Sequence, residues 1–202
     1  GLVILSVTLT FLLYHVNTKN KEFKLFSILF FLSLAFASLF GGTVHGFFPD
    51  INSFLRIVLW KLTLISIGLT ALFSWVLAGN MTFPRYRKTI FYLASIEFIL
   101  YTSYVVLINS EFKTAIYNYI PPIIFLLIYL IVTYINQKDK LIWLGIFGIL
   151  LTFAAAWIQQ AQIFLHPIYF NHNAFYHLVQ AIALILIFFA FRSMIFNKKM
   201  KK

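Results

Sequence analysis

Residues 141–165 read LIWLGIFGILLTFAAAWIQQAQIFL, and no charged side chain interrupts them. About 20 apolar residues in a helix cross roughly 30 Å of hydrocarbon. A run of this length without a charge predicts a membrane-spanning helix. Working outward from it, six further apolar blocks occupy residues 2–16, 25–47, 54–78, 89–108, 114–135 and 174–196. The blocks are continuous rather than alternating, which argues against barrel strands of about 9–11 residues. The fold class predicted is all-α: a seven-transmembrane-helix bundle forming one domain, residues 1–202. Short connections make neighbouring helices antiparallel. No composition shift and no internal repeat divides the chain.

Composition agrees with this reading. The chain is 62% hydrophobic and 10% charged, where soluble domains carry roughly 25% charged residues. Most of its surface must therefore meet lipid. With no cysteine, disulfides, iron–sulfur clusters and thiolate zinc sites are excluded. The net charge of +11 is placed between apolar blocks, where it acts as a topology signal and a contact for anionic membrane lipids. No folded domain remains to bind nucleic acid. The first block starts at Gly1 without a Met and is open to being clipped. It lacks a basic leader and a small-residue cleavage site around Tyr14-His15-Val16-Asn17, so it reads as a helix rather than a signal peptide. Pro121-Pro122 leave two readings of the fifth helix. It starts near Lys113 and contains them, or it starts at Pro121 with both in its first turn.

The basic residues also predict orientation. Lys19, Lys21 and Lys24, then Arg85, Arg87 and Lys88, then Lys138 and Lys140, then Lys198, Lys199, Lys201 and Lys202 all fall on one side. The opposite loops hold little beyond Arg56 and Lys113. The positive-inside rule puts the amino terminus outside and the carboxyl terminus in the cytoplasm. Abundant Lys, Asn, Ile and Phe point to an AT-rich bacterial genome, hence an inner membrane.

That topology gathers polar residues at the outer level. His45 ends the second helix, His166 ends the sixth, and His172 and His177 open the seventh. Asp50 lies in the neighbouring loop. Gln159, Gln162 and His166 share one predicted stripe of the sixth helix, and Asn173, His177 and Gln180 share one face of the seventh. Ser38 and His45 stand two turns apart. Costly polar groups in hydrocarbon usually face a bundle interior, so an outward-opening polar pocket is predicted. Each residue also has a plainer role: an interfacial histidine, an N-cap at Asp50, interhelical amide bonds at the glutamines, a loop position for His172. Deeper in the span, Lys61 and Glu97 are predicted to form a structural ion pair, with a proton relay as the functional alternative.

The segment His172-Asn173-Ala174-Phe175-Tyr176-His177-Leu178 resembles the start of the last helix in the alkaline ceramidases and the progestin-and-adipoQ receptors, the CREST superfamily of seven-helix membrane hydrolases. The resemblance implies a zinc ion held by His45, His172 and His177, helped by Ser38 and Asp50, hydrolysing an amide or ester of a lipid-like substrate. The spacing here is His-x-x-x-x-His where the family has His-x-x-x-His, and Gly41 stands where the family's serine would. Two other readings compete. One is a receptor, carrier or assembly partner binding a ligand in the polar pocket without turnover. The other is a haem with His45 and His177 as axial ligands beside Gly41 and Gly42. The seventh helix has no interior Lys for retinal, and P-loop and dinucleotide motifs are absent.

Overall fold

A computed structural model describes residues 1–166 and 169–196. Among these, the regular structure is helical: α1 Leu2–Tyr14, α2 Lys21–Phe47, α3 Phe54–Thr82, a 3-10 turn Pro84–Tyr86, α4 Arg87–Leu107, α5 Phe112–Gln137, α6 Lys140–Gln160 and α7 His172–Phe196. Six of these helices are long and apolar enough to cross a membrane, while α1 is shorter. The class read from the sequence, all-α, is the class observed. α5 runs from Phe112 through Pro121 and Pro122, so the first of the two readings of that helix holds. Each proline lacks an N–H, so the carbonyls four residues earlier, at Tyr117 and Asn118, have no helical donor.

The described residues form two compact units. The first contains most of α1, all of α2, α3 and α4, and α5 up to Leu126. Its central element is α3, which packs on α2 and on α4. Small residues let the backbones approach, as in other helices that associate where no hydrophobic force separates lipid from protein. Gly68 lies so close to Tyr101 that a Cβ there would stand 2.5 Å from the ring, and the Tyr101 hydroxyl donates to the Leu64 carbonyl at 3.0 Å. Thr63, Ser66, Thr70 and Ser74 form a buried stripe along α3. Each returns its hydroxyl to the carbonyl four residues back, which satisfies it without water. Ser33 of α2 and Thr70 share a hydrogen bond of 2.8 Å.

The second unit holds residues 15–20, the rest of α5, α6 and α7. Here α6 packs on α7 through glycine and alanine. A Cβ at Gly145 would overlap the Cβ of Ala190, and one at Gly148 would stand 2.8 Å from the Ala183 carbonyl oxygen. Asp139 starts α6 by accepting from the Leu141 N–H at 2.9 Å, and its other oxygen accepts from Ser193 of α7. Thr18 donates to the Ile195 carbonyl at 2.6 Å.

One helix boundary departs from the expectation. The sixth apolar block runs to residue 165, but α6 stops at Gln160. Gln162 takes φ 52°, and the Ile163 N–H bonds back to the Ile158 carbonyl at 3.0 Å. This is a Schellman-type end built without glycine. The predicted stripe of Gln159, Gln162 and His166 on one helix is therefore broken. Only Gln159 remains helical.

Candidate functional site

The predicted outer residues are divided between the units, with Ser38, His45 and Asp50 in the first and the rest in the second. In the first unit, His45 lies in the last turn of α2, its ring edge-on to Trp60 at 5.9 Å. Trp60 donates to the Ser110 carbonyl at 2.8 Å. Asp50 is exposed and accepts from the Asn52 N–H at 3.0 Å. It closes the turn before α3, and the cap position itself is Ser53. Ser38 is half-buried in α2.

In the second unit, Asn171 caps α7 by accepting from the Ala174 N–H at 3.0 Å. His172 is thus the first residue of the helix, and His177 stands five positions on, exposed, its ring 4.6 Å from that of Tyr176. Residues five apart on a helix point about 140° apart. His166 is drawn into a small loop, where it exchanges backbone bonds with Phe170 at 3.1 Å and accepts at Nδ1 from the Tyr169 N–H at 3.1 Å. Gln159 and Asn173 do meet: the Gln159 amide donates to Asn173 Oδ1 at 2.9 Å. The Gln159 carbonyl oxygen is buried with no partner, and Gln180 is buried on the same helix as Asn173. Among the described residues, neither unit gathers three His, Asp or Glu side chains in a metal-holding arrangement.

The expected pair of Lys61 and Glu97 does not form. Lys61 Nζ donates to the Val106 carbonyl at 2.8 Å, while Glu97 Oε2 is buried without a partner. Val106 sits in the last turn of α4, whose final carbonyls have no helical donor and carry the negative end of the helix dipole. That terminus takes the lysine.

Two clusters were not foreseen. Glu22 of α2 accepts from Asn80 of α3 at 2.7 Å and pairs with Arg87 of α4 at 2.7 Å. Asn80 is buried, so the cluster ties three helix ends together. Its signal was available: Asn80 is a polar residue at the end of a long apolar run. The second is a groove of about 460 Å³ on the first unit, lined by Glu97, Tyr101, Tyr104 and Asn118 among leucine and isoleucine. Asn118 Nδ2 is buried without a partner there. At the loop between α4 and α5, Glu111 is held below the usual carboxylate range by its hydrogen bond to Lys113 and by that residue's charge.

The length and apolar composition of six helices point to a membrane-embedded helical protein. The chain belongs to a family described only as a family of unknown function (DUF6962), whose model matches residues 3–195. No curated protein and no solved structure matches it.

Proposed function

We propose that the chain is an integral membrane protein of seven transmembrane helices, its amino terminus outside and its carboxyl terminus in the cytoplasm of a bacterial inner membrane. Charge supports this. The connections from α1 to α2, α3 to α4 and α5 to α6, together with the helix starts that follow them, carry Lys19, Lys21, Lys24, Arg85, Arg87, Lys88, Lys138 and Lys140, and the alternate connections and helix starts carry little beyond Arg56 and Lys113. The basic tail that adds to this bias lies outside the described residues. Phosphatase fusions test the orientation. Fusions at Asp50 and Ser110 should be active, those at Phe83 and Lys138 inactive, and the opposite pattern rejects it.

Within that membrane, the reading best supported is binding of a small lipid-like ligand at the polar outer end of α6 and α7, as a receptor, carrier or assembly partner. One observation carries it: the Gln159 carbonyl oxygen is buried and unpartnered next to the Asn173 amide. A buried acceptor without a donor is costly, and a ligand N–H or O–H would satisfy it. Lipids with amide heads should raise the melting temperature of the purified protein, and Gln159→Leu should abolish the rise. An unchanged rise in that variant rejects the reading.

Zinc-dependent hydrolysis of a lipid-like amide or ester is the second reading, and its support is the resemblance at His45, His172 and His177. Zinc at such a site would supply a water with a pKa near 7. The two imidazoles of α7, about 140° apart on a regular helix, do not fit as joint ligands of one ion. No step is assigned through the metal. Stoichiometric zinc in the purified protein, reduced in His45→Ala and His177→Ala, would establish the chemistry. Its absence in the parent would end this reading and leave the first intact.

A further inference from the structure

The protein has five acidic residues, and four have identifiable structural work. Glu22 joins Asn80 and Arg87, Asp50 closes a turn, Glu111 pairs with Lys113, and Asp139 caps α6. Glu97 alone leaves a buried oxygen without a partner. It stands at the middle of α4, about 15 Å from either end at 1.5 Å per residue. That is the depth at which a polar side chain is most costly and marks a functional position.

Asn118 supplies the complementary group. Its Nδ2 is a buried donor without a partner, and Glu97 Oε2 is a buried acceptor without one. Both side chains line the same groove in the first unit. The rest of the wall is apolar and open: Leu93, Ile96 and Leu100 are 62%, 54% and 66% exposed. In a bilayer these faces meet acyl chains, so a ligand would enter sideways from the lipid. The one lysine of α3, Lys61, is engaged at Val106 and does not neutralise the site.

From this geometry we propose that the groove between Glu97 and Asn118 binds a neutral, long-chain lipid alcohol, whose hydroxyl oxygen accepts from the Asn118 amide and whose O–H donates to the Glu97 carboxyl. A hydroxyl satisfies one donor and one acceptor with a single atom. A protonated amine offers no acceptor to Asn118, and a bare hydrocarbon offers neither group. This site is separate from the polar end of α6 and α7, and it depends only on the membrane embedding of the chain.

The test uses the full-length chain in vesicles of zwitterionic phospholipid and a diazirine-bearing long-chain primary alcohol. Photolysis should label α4 and α5 peptides, and unlabelled alcohol should compete. Leaving either buried group unpaired should lower labelling about tenfold in Glu97→Leu and Asn118→Leu. Glu97→Gln, which keeps an accepting oxygen, should label like the parent. Glu97→Ala and Asn118→Ala serve where the leucine variants do not fold, with melting temperature as the control. Equal labelling by an alkane probe, stronger competition by a long-chain amine, cross-linking to a second copy in place of the lipid, or labelling indifferent to both variants would each overturn the proposal.

Discussion

The closest approach of backbone to side-chain position in α6 gives a sharp test of how the second unit is held together. A Cβ added at Gly148 would stand 2.8 Å from the Ala183 carbonyl oxygen, 2.9 Å from Ile187 Cγ1 and 3.0 Å from Leu186 Cβ. Nonbonded heavy atoms rest at about 3.5–4.0 Å, so the shortfall is about half an ångström to one ångström on three sides. One of the three obstacles is backbone. Overpacking of this kind costs about 1–3 kcal/mol, and Gly148→Ala should destabilise by that amount. Gly145→Ala should be costly too, but its obstacle is the Ala190 Cβ, which Ala190→Gly removes. The double variant Gly145→Ala/Ala190→Gly should therefore recover most of the loss, a coupling that a double-mutant cycle reads directly. Trimming Ile187 to Ala should not rescue Gly148→Ala, because the Ala183 carbonyl stays in place. Gly42 supplies the control, since nothing lies within 4 Å of its Cβ position. There the alanine should be neutral or stabilise by up to about 1 kcal/mol through helix propensity. Reversible unfolding of the purified chain in detergent by titration with sodium dodecyl sulfate gives the numbers. Gly148→Ala within about 0.5 kcal/mol of the parent, or no coupling between 145 and 190, would refute close α6–α7 packing.

Three further outcomes follow from the hydrogen bonds. Glu22→Ala should cost about 1–3 kcal/mol because it leaves the buried Asn80 amide unpaired. Arg87→Ala should cost less than about 1 kcal/mol, since the side chains of its pair with Glu22 are 47% and 38% exposed. The reverse order in the same unfolding assay would show that charge rather than burial holds the three helix ends. Asp139→Ala should cost about 0.5–2 kcal/mol as a lost helix cap, with Asp139→Asn recovering most of it, and equal losses would exclude capping as the cause. Lys61→Met and Glu97→Gln should be additive within about 0.5 kcal/mol, whereas strong coupling would restore the ion pair that the structure lacks.

How much of the fold could be read from the residues depends on what each signal measures. Apolar run length reports where lipid is, and it located all the long helices. It did not report where the backbone stops being helical. α2 begins at Lys21, four residues ahead of its apolar block, and α3 continues to Thr82, past Ala78. Lys21, Glu22 and Lys24 are polar yet helical, because long charged side chains can leave the hydrocarbon while their backbone stays in the helix. α6 fails in the opposite direction. Residues 161–165 are as apolar as what precedes them, but Gln162 adopts a left-handed conformation that glycine usually marks. A helix end without its customary residue leaves no trace in composition. The same five residues decided the fate of the predicted polar stripe, since moving His166 off the helix removed it from the face of Gln159.

Site residues were harder to read for a related reason. Topology gives the depth of a side chain, while chemistry needs its direction, and direction follows the phase of the helix. Lys61 shows the difference. A charge in an apolar run must find a partner, and the obvious one was the carboxyl on the next helix. Helix ends are competing partners, because their last carbonyls are left without donors. Lys61 takes the Val106 carbonyl in the last turn of α4, Thr18 takes Ile195 in the last turn of α7, and Arg56 takes Phe48 just beyond α2. In each case a side-chain donor from another segment quiets a helix terminus that its own helix could not satisfy. Donors spent in this way are unavailable to carboxyls. A chain with 16 basic residues and 5 acidic ones can therefore still leave one carboxyl, Glu97, bare at the middle of its helix. Net charge says nothing about that shortage, whereas the positions of the helix ends account for it.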